Sequence, residues 1–455
     1  MNKIYKFMLP ALLAALSMPS CGYLTDIDMP VDKLTKETLF TDSATVNAAV
    51  EGLYSNNLLL NPVYYYLLPF YASAMADDSY HNVTSYDVLN QNSYSPTTSF
   101  IANLWDYPYK SIYQSNALIE GLENTSVVTE AAKIRYIAQA KYFRAYSYFV
   151  LVNFFGDVPL VLMTDYKVTS LQARENVSAI YEQIIRDLKD AESGIDGNSN
   201  NKITKAAAGA LLARVYLYAE RWAEAEGKAS EVIATSGCAL ESPDNVFLRS
   251  SRETIFRITS NYATYNGRVY WGTLCANRSY NFLRDELVRA FEEGDLRREK
   301  WIIARNSASA GDYHQSYKYK QTANPSDASL AEDYVVMRLS ELYLILAEAQ
   351  ARQQKAAQAV GNLNAIRTRA GLSDLPSGLN EAQILSAVER ERRAEFFLED
   401  AHRWWDLKRT GRIDEALGQI SNKSWRPHKA LLPVPETELA NNPNLTPNPG
   451  YGALE

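Results

Sequence analysis

ITKAAAGALLARVYLYAERWAEA, residues 203–225, decides the fold. Leu211, Val215 and Tyr218 fall at i, i+4 and i+7, and Trp222 continues the stripe. Apolar residues at that spacing share one side of an α-helix. A second helix follows Arg221, with Ala225, Ala229 and Val232 on its inner side. Small alanines let two antiparallel helices approach closely, while Tyr218 and Trp222 fill the wider part of the gap.

The same arrangement recurs along the chain. Leu339, Leu342, Leu346 and Ala349 stripe one helix, Ala356, Val360, Leu363, Ile366 and Ala370 stripe the next, and Gly371 ends it where a helix C-cap favours glycine. Ala138, Tyr142, Ala145, Phe149 and Val152 mark a longer helix over Glu130–Val152, and another is expected from about Glu381 to Leu398. Glu389, Arg390, Glu391, Arg392, Arg393 and Glu395 of that last helix are read as an ion-paired face rather than as catalytic groups. The helix pairs resemble tetratricopeptide repeats, so the fold class is mainly α: an α/α superhelical scaffold with a loop-rich, variable face. The segment after Ser421, rich in Pro and Asn, is expected to lie over the helices as an extended strap.

Lys3 and Lys6 precede an apolar run from Phe7 to Met18, which is followed by Pro19, Ser20 and Cys21. This is the pattern of an export signal over residues 1–20. The run is too short to span a bilayer, which takes about 20 apolar residues. Cys21 then becomes the lipidated N-terminus, and acyl chains at about 0.8 kcal/mol per buried methylene hold the protein on a membrane. The net charge is −7, and −9 without Lys3 and Lys6, which argues against nucleic acid as a partner. Cys238 and Cys275 allow one disulfide without requiring it. No metal-ligand spacing, nucleophile motif or phosphate loop is present, and no cofactor is expected.

Taken in order, WDYPYKSIYQSNALIEG (105–121), AKYFRAYSYFVLVNFFGDVPLV (140–161), VVMRLSELYLILAEAQA (335–351), RWWDLKRTGR (403–412) and LLPVPETELANNPNLTPNPGY (431–451) resemble the SusD/RagB family of surface glycan-binding lipoproteins. The resemblance implies four tetratricopeptide-like helix pairs in a single domain from residue 21 to 455, attached to the outer membrane. It also implies capture of an extracellular oligosaccharide or polysaccharide, without catalysis, for a SusC-like TonB-dependent transporter over which the protein sits. Within these blocks Arg144, Tyr148, Arg338, Glu341, Glu348, Arg367, Arg369, Trp404, Trp405, Asp406 and Arg409 are read as packing and buried ion-pair residues.

Sugar rings present C–H patches that stack on flat aromatics, and hydroxyls that need polar partners. The 31 tyrosines against 14 phenylalanines suit such contacts, or a core. Two segments, near 76–100 and 260–320, lack helical periodicity and mix both residue types. The first offers Asp78, Tyr80, His81, Asn82, Tyr86 and Tyr94; the second offers Tyr265, Tyr270, Trp271, Arg278 and Tyr280. The resemblance places the family's ligand face in these two regions. An all-α glycoside hydrolase and a peptide-binding or helical scaffold lipoprotein are the rival functions.

Overall fold

The computed structural model describes residues 39–452, apart from 61, 197–201, 260–280, 309 and 323–324. Cys21, Cys275 and the export signal lie outside the described residues. Helices dominate: α1 (Ser43–Tyr54), α2 (Ser99–Glu123), α3 (Glu130–Phe155), α4 (Val177–Gly194), α5 (Lys205–Tyr218), α6 (Trp222–Thr235), α7 (Leu339–Arg352), α8 (Ala356–Arg369), α9 (Glu381–Phe396) and α10 (His402–Arg409). From α2 to α8 each packs against the next in chain order, and α9 closes on α7 and α8, which builds the expected superhelical stack.

Local chemistry sets the ends. Thr129, Asn176 and Thr204 accept backbone N–H groups at the starts of α3, α4 and α5, and Asn380 with Gln383 forms a capping box on α9. Gly371 takes φ +79° just past α8. Gly209, inside α5, lets neighbouring helices close in: a Cβ there would lie 2.8 Å from the Val232 side chain.

Buried charge holds the stack together: Arg144, Arg338, Glu341, Arg367 and Asp406 take part as expected from sequence, while Asp187, Arg214 and Asp400 were not singled out there. The Arg214 guanidinium donates to Glu341 at 2.6 and 2.7 Å and to Asp400 at 2.6 Å, tying α5 to α7. Arg144 does the same to Asp187 at 2.7 and 2.8 Å, joining α3 to α4. The charged side of α9 is ion-paired and also buried: Glu391, Arg392 and Glu395 are closed off by Arg297, Arg338, Arg367 and Asp406. Trp404 and Trp405 are fully buried, Trp405 standing edge-on to Phe149 at 5.2 Å.

One feature departs from expectation. Residues 281–316 are regular rather than irregular: after β1 (Ser79–His81) and β2 (Thr254–Ile258) come strands β3 (Asn281–Leu283), β4 (Ile302–Ser307) and β5 (Gly311–Ser316), the last two forming a hairpin whose turn uses Gly311 at φ +67°. Val63–Ala72 is π-helical and buries Tyr64, Tyr65 and Tyr71. Among the described residues twelve tyrosines are buried, so much of the tyrosine surplus builds core. Cys238 is a free, half-buried thiol whose Sγ lies 3.7 Å from the Thr254 carbonyl.

Candidate ligand-binding face

The first tyrosine-rich segment contains a three-residue strand, β1 (Ser79–His81), which pairs antiparallel with β3 in the register Ser79↔Leu283, Tyr80↔Phe282, His81↔Asn281. β5 and β4 extend this to four strands in the order β1-β3-β5-β4. The pairing brings the first segment edge to edge with residues 281–283 of the second. Tyr265, Tyr270, Trp271, Arg278 and Tyr280 lie outside the described residues.

Strand alternation puts Tyr80 and Phe282 on one side of the sheet and His81 and Asn281 on the other. On the first side the half-buried Tyr80 ring stands edge-on to Phe282 at 5.5 Å, and Phe282 stacks on Tyr313 with 4.0 Å between centroids. The Arg284 guanidinium lies 5.7 Å from the Tyr80 ring and donates to the Ser79 carbonyl. Tyr80 and Tyr313 remain partly open, giving two aromatic surfaces fixed by a buried ring between them. Phe282, Tyr313 and Arg284 were missed from sequence, because one strand and a hairpin carry too short a pattern to show their facing.

The remaining expected residues divide. Asn82 is exposed, and Tyr86 is half-buried, stacked on His81 at 4.4 Å and on Phe100 at 5.1 Å. Asp78, His81 and Tyr94 need correction, since their side chains are buried in the framework. The Tyr94 hydroxyl donates to the Lys429 carbonyl at 2.8 Å. The His81 backbone is clamped both ways by the Asn90 amide, at 2.9 and 2.8 Å. Asp78 accepts from Arg393 at 2.9 Å, and Asp77 accepts from Arg403 at 2.7 Å on each oxygen. Burial drives the Asp78 carboxyl above its ordinary range. Burial also opposes ionisation of Asp77, but Arg403 and Arg393 outweigh it and hold that carboxyl at about 2. This pair of acids anchors the segment to α9 and α10 and offers no free oxygen pair to a ligand or cation.

Behind the segment lies Lys423, at the start of the C-terminal strap. Its ammonium donates to the carbonyls of Ala74 and Met75 at 2.9 Å, to that of Asn90 at 3.0 Å and to the Asn92 side chain at 2.7 Å. Lys429 adds a bond to the Asn92 carbonyl at 2.7 Å. The strap runs as expected, with a short helix at Glu436–Asn441, and the Leu432 N–H donates to the Phe154 carbonyl at 2.8 Å. It therefore braces the first segment from beneath.

Residues 25–217 match a family model described as "Starch-binding associating with outer membrane", and residues 304–451 match one described as the SusD family. A SusD-like protein of Formosa agariphila is 24% identical over 98% of this chain and 100% of its own length. A SusD superfamily protein of Bacteroides vulgatus superposes with a TM-score of 0.78 at 21% identity, covering 91% of this chain and 100% of that one. A laminarin-binding SusD-like protein gives a TM-score of 0.75 at 23% identity, covering 90% and 100%. At such identities the two superpositions speak for the fold.

Proposed function

The chain belongs to the SusD/RagB family, and from that we propose that it binds an extracellular oligosaccharide or polysaccharide at the sheet face, without chemically altering it. The observation that carries the proposal is the β1–β3 pairing, which joins the first tyrosine-rich segment to the second at residues 281–283 and leaves Tyr80 and Tyr313 as stacking surfaces. Relatives described as starch-binding and laminarin-binding support the glycan class. Asn82, Tyr86, Tyr265, Tyr270, Trp271, Arg278 and Tyr280 are the further contacts proposed around that surface.

A few stacked rings, each worth about 0.5–1.5 kcal/mol beyond area burial, offset only part of the cost of association. Affinity is accordingly on the order of micromolar to millimolar. Weak binding suits a protein that passes its cargo on.

Affinity electrophoresis against laminarin, starch and other glycans, with peptides and product analysis run in parallel, tests this. Tyr80→Ala with Trp271→Ala is expected to weaken retention strongly and leave the thermal midpoint nearly unchanged, since Tyr80 is half-buried at a sheet edge. Unaltered retention moves the site elsewhere, peptide-only binding favours the peptide reading, and cleavage favours an enzyme.

The protein is proposed to be anchored to the outer membrane through Cys21 and to serve a SusC-like TonB-dependent transporter. Leu162, Met163, Tyr166, Val168 and Leu171 are all exposed along one short surface segment. Contiguous exposed apolar residues mark protein contact surfaces, and this segment is proposed as the transporter-facing one. Met163→Asp with Tyr166→Asp is expected to remove the transporter from a detergent co-purification; an unchanged yield of the pair counts against this surface.

A further inference from the structure

An open groove of about 510 Å³ lies between α2 and the C-terminal strap and shares no residue with the four-stranded sheet. That size falls within the usual range for small-ligand sites. Trp105, Tyr109 and Tyr113 occupy i, i+4 and i+8 of α2, so they line one side of the helix over about 12 Å. Trp105 is buried, Tyr109 is half-buried and Tyr113 is 57% exposed, a graded aromatic floor that opens to solvent. The Tyr109 hydroxyl is taken up by the Pro159 carbonyl at 2.8 Å, which fixes the ring.

The walls are polar. Asp106, Lys110 and Gln114 come from α2 beside that stripe, and Glu438 and Asn441 from the strap. Neither Asp106 nor Glu438 makes an ion pair with a described residue. Burial raises both carboxyls above their ordinary range, and Glu438 is raised further by Asp106, while Lys110 works against the rise at Asp106 and Trp105 against the rise at Glu438. Partly desolvated carboxylates of this kind are short of hydrogen-bond donors, and the open ring beside them is short of apolar cover. A sugar ring supplies both at once: a C–H face for Tyr113 and Tyr109, and hydroxyl donors for Asp106 and Glu438, with Gln114 and Asn441 left to serve its oxygens. Two carboxylates against the single ammonium of Lys110 leave the groove net negative, which disfavours a phosphate or sulfate group.

We propose that this groove is a second saccharide-binding cleft, taking a neutral stretch of the same glycan that the sheet face takes. The class of ligand rests on the proposed function; the site does not use the sheet. Two clefts on one chain raise the retention of a long polymer above that of either alone, because the second contact is made within an already bound chain.

Laminarin and starch in affinity gels are the probes, with maltoheptaose as the short competitor. Tyr113→Ala, on an exposed side chain, and Asp106→Asn are each expected to weaken retention about 2- to 10-fold, the loss of one stacked ring or one well-placed acceptor. Combined with Tyr80→Ala they should remove what retention that variant keeps, and thermal midpoints establish that each variant is folded. If the wild type is retained and the folded groove variants match it, the second cleft is refuted and the sheet-face reading stands. If the wild type is retained by neither polymer and bound by no glycan of the wider panel, both are overturned.

Discussion

Arg338→Ala is expected to cost about 3–5 kcal/mol of folding stability, the usual penalty for stripping one partner from a buried ion-pair network. Arg338 is 2% exposed and serves Glu253 at 2.9 Å, Glu399 at 2.8 Å, the Glu395 carboxylate and the Glu395 carbonyl at 2.9 Å. Its guanidinium also covers the Phe396 ring at 4.6 Å. Glu395 is shared with Arg297 and Arg369, so the cluster stitches α7, α8 and α9 to the segment before α7. Without Arg338 three carboxylates lose a cation in a site that water does not reach. Arg338→Met preserves volume but not charge, and should fall nearly as far.

An exposed pair makes the contrast. Arg289 and Glu286 sit 3.7 Å apart at 71% and 62% side-chain exposure. Breaking that pair should change stability by no more than about 1 kcal/mol. Equilibrium urea unfolding followed by circular dichroism measures both. A loss below about 1 kcal/mol for Arg338→Ala would mean that neighbouring lysine and arginine groups compensate.

The network was legible as a class of residue and illegible as a set of partners. Arg338, Glu341, Arg367 and Asp406 sit in helical blocks where long charged side chains had no catalytic company, which argued for structure. Which acid meets which base is a tertiary fact: Asp78 meets Arg393 across 315 residues of sequence. The same limit explains the first tyrosine-rich segment. Helical stripes announced α3, α5, α7 and α8 because their period repeats over three or four turns. β1 has three residues and one ladder partner some 200 positions on, so nothing local showed that His81 turns inward while Tyr80 turns out. Tyr94 stands among Asn, Ser and Pro and reads as a loop residue; its burial depends on the strap. The stripe Trp105, Tyr109, Tyr113 was visible as helical, but its openness to solvent depends on where Glu438 and Asn441 come to rest.

Lys423→Met should separate the binding segment from the scaffold without dismantling the scaffold. Lys423 is 9% exposed, and its four acceptors all belong to residues 74–92. Burial lowers its proton affinity well below that of an ordinary lysine, because the group is cut off from water. Asn92, one of those acceptors, is held at φ +52°, a conformation that non-glycine residues adopt at a cost, and its own amide donates to the Met75 carbonyl at 3.0 Å. Methionine fills the same channel and donates nothing. Leaving several buried acceptors short should cost about 2–4 kcal/mol after local relaxation. The loss should be confined: amide exchange should accelerate at residues 74–92 and in β1, while α3 and α5 keep their protection. Because β1 carries Tyr80, glycan retention should fall with it, although Lys423 touches no part of the sheet face. Exchange that stays slow at 74–92 in the variant would show that the ion pairs of Asp77 and Asp78 to Arg403 and Arg393 hold the segment unaided.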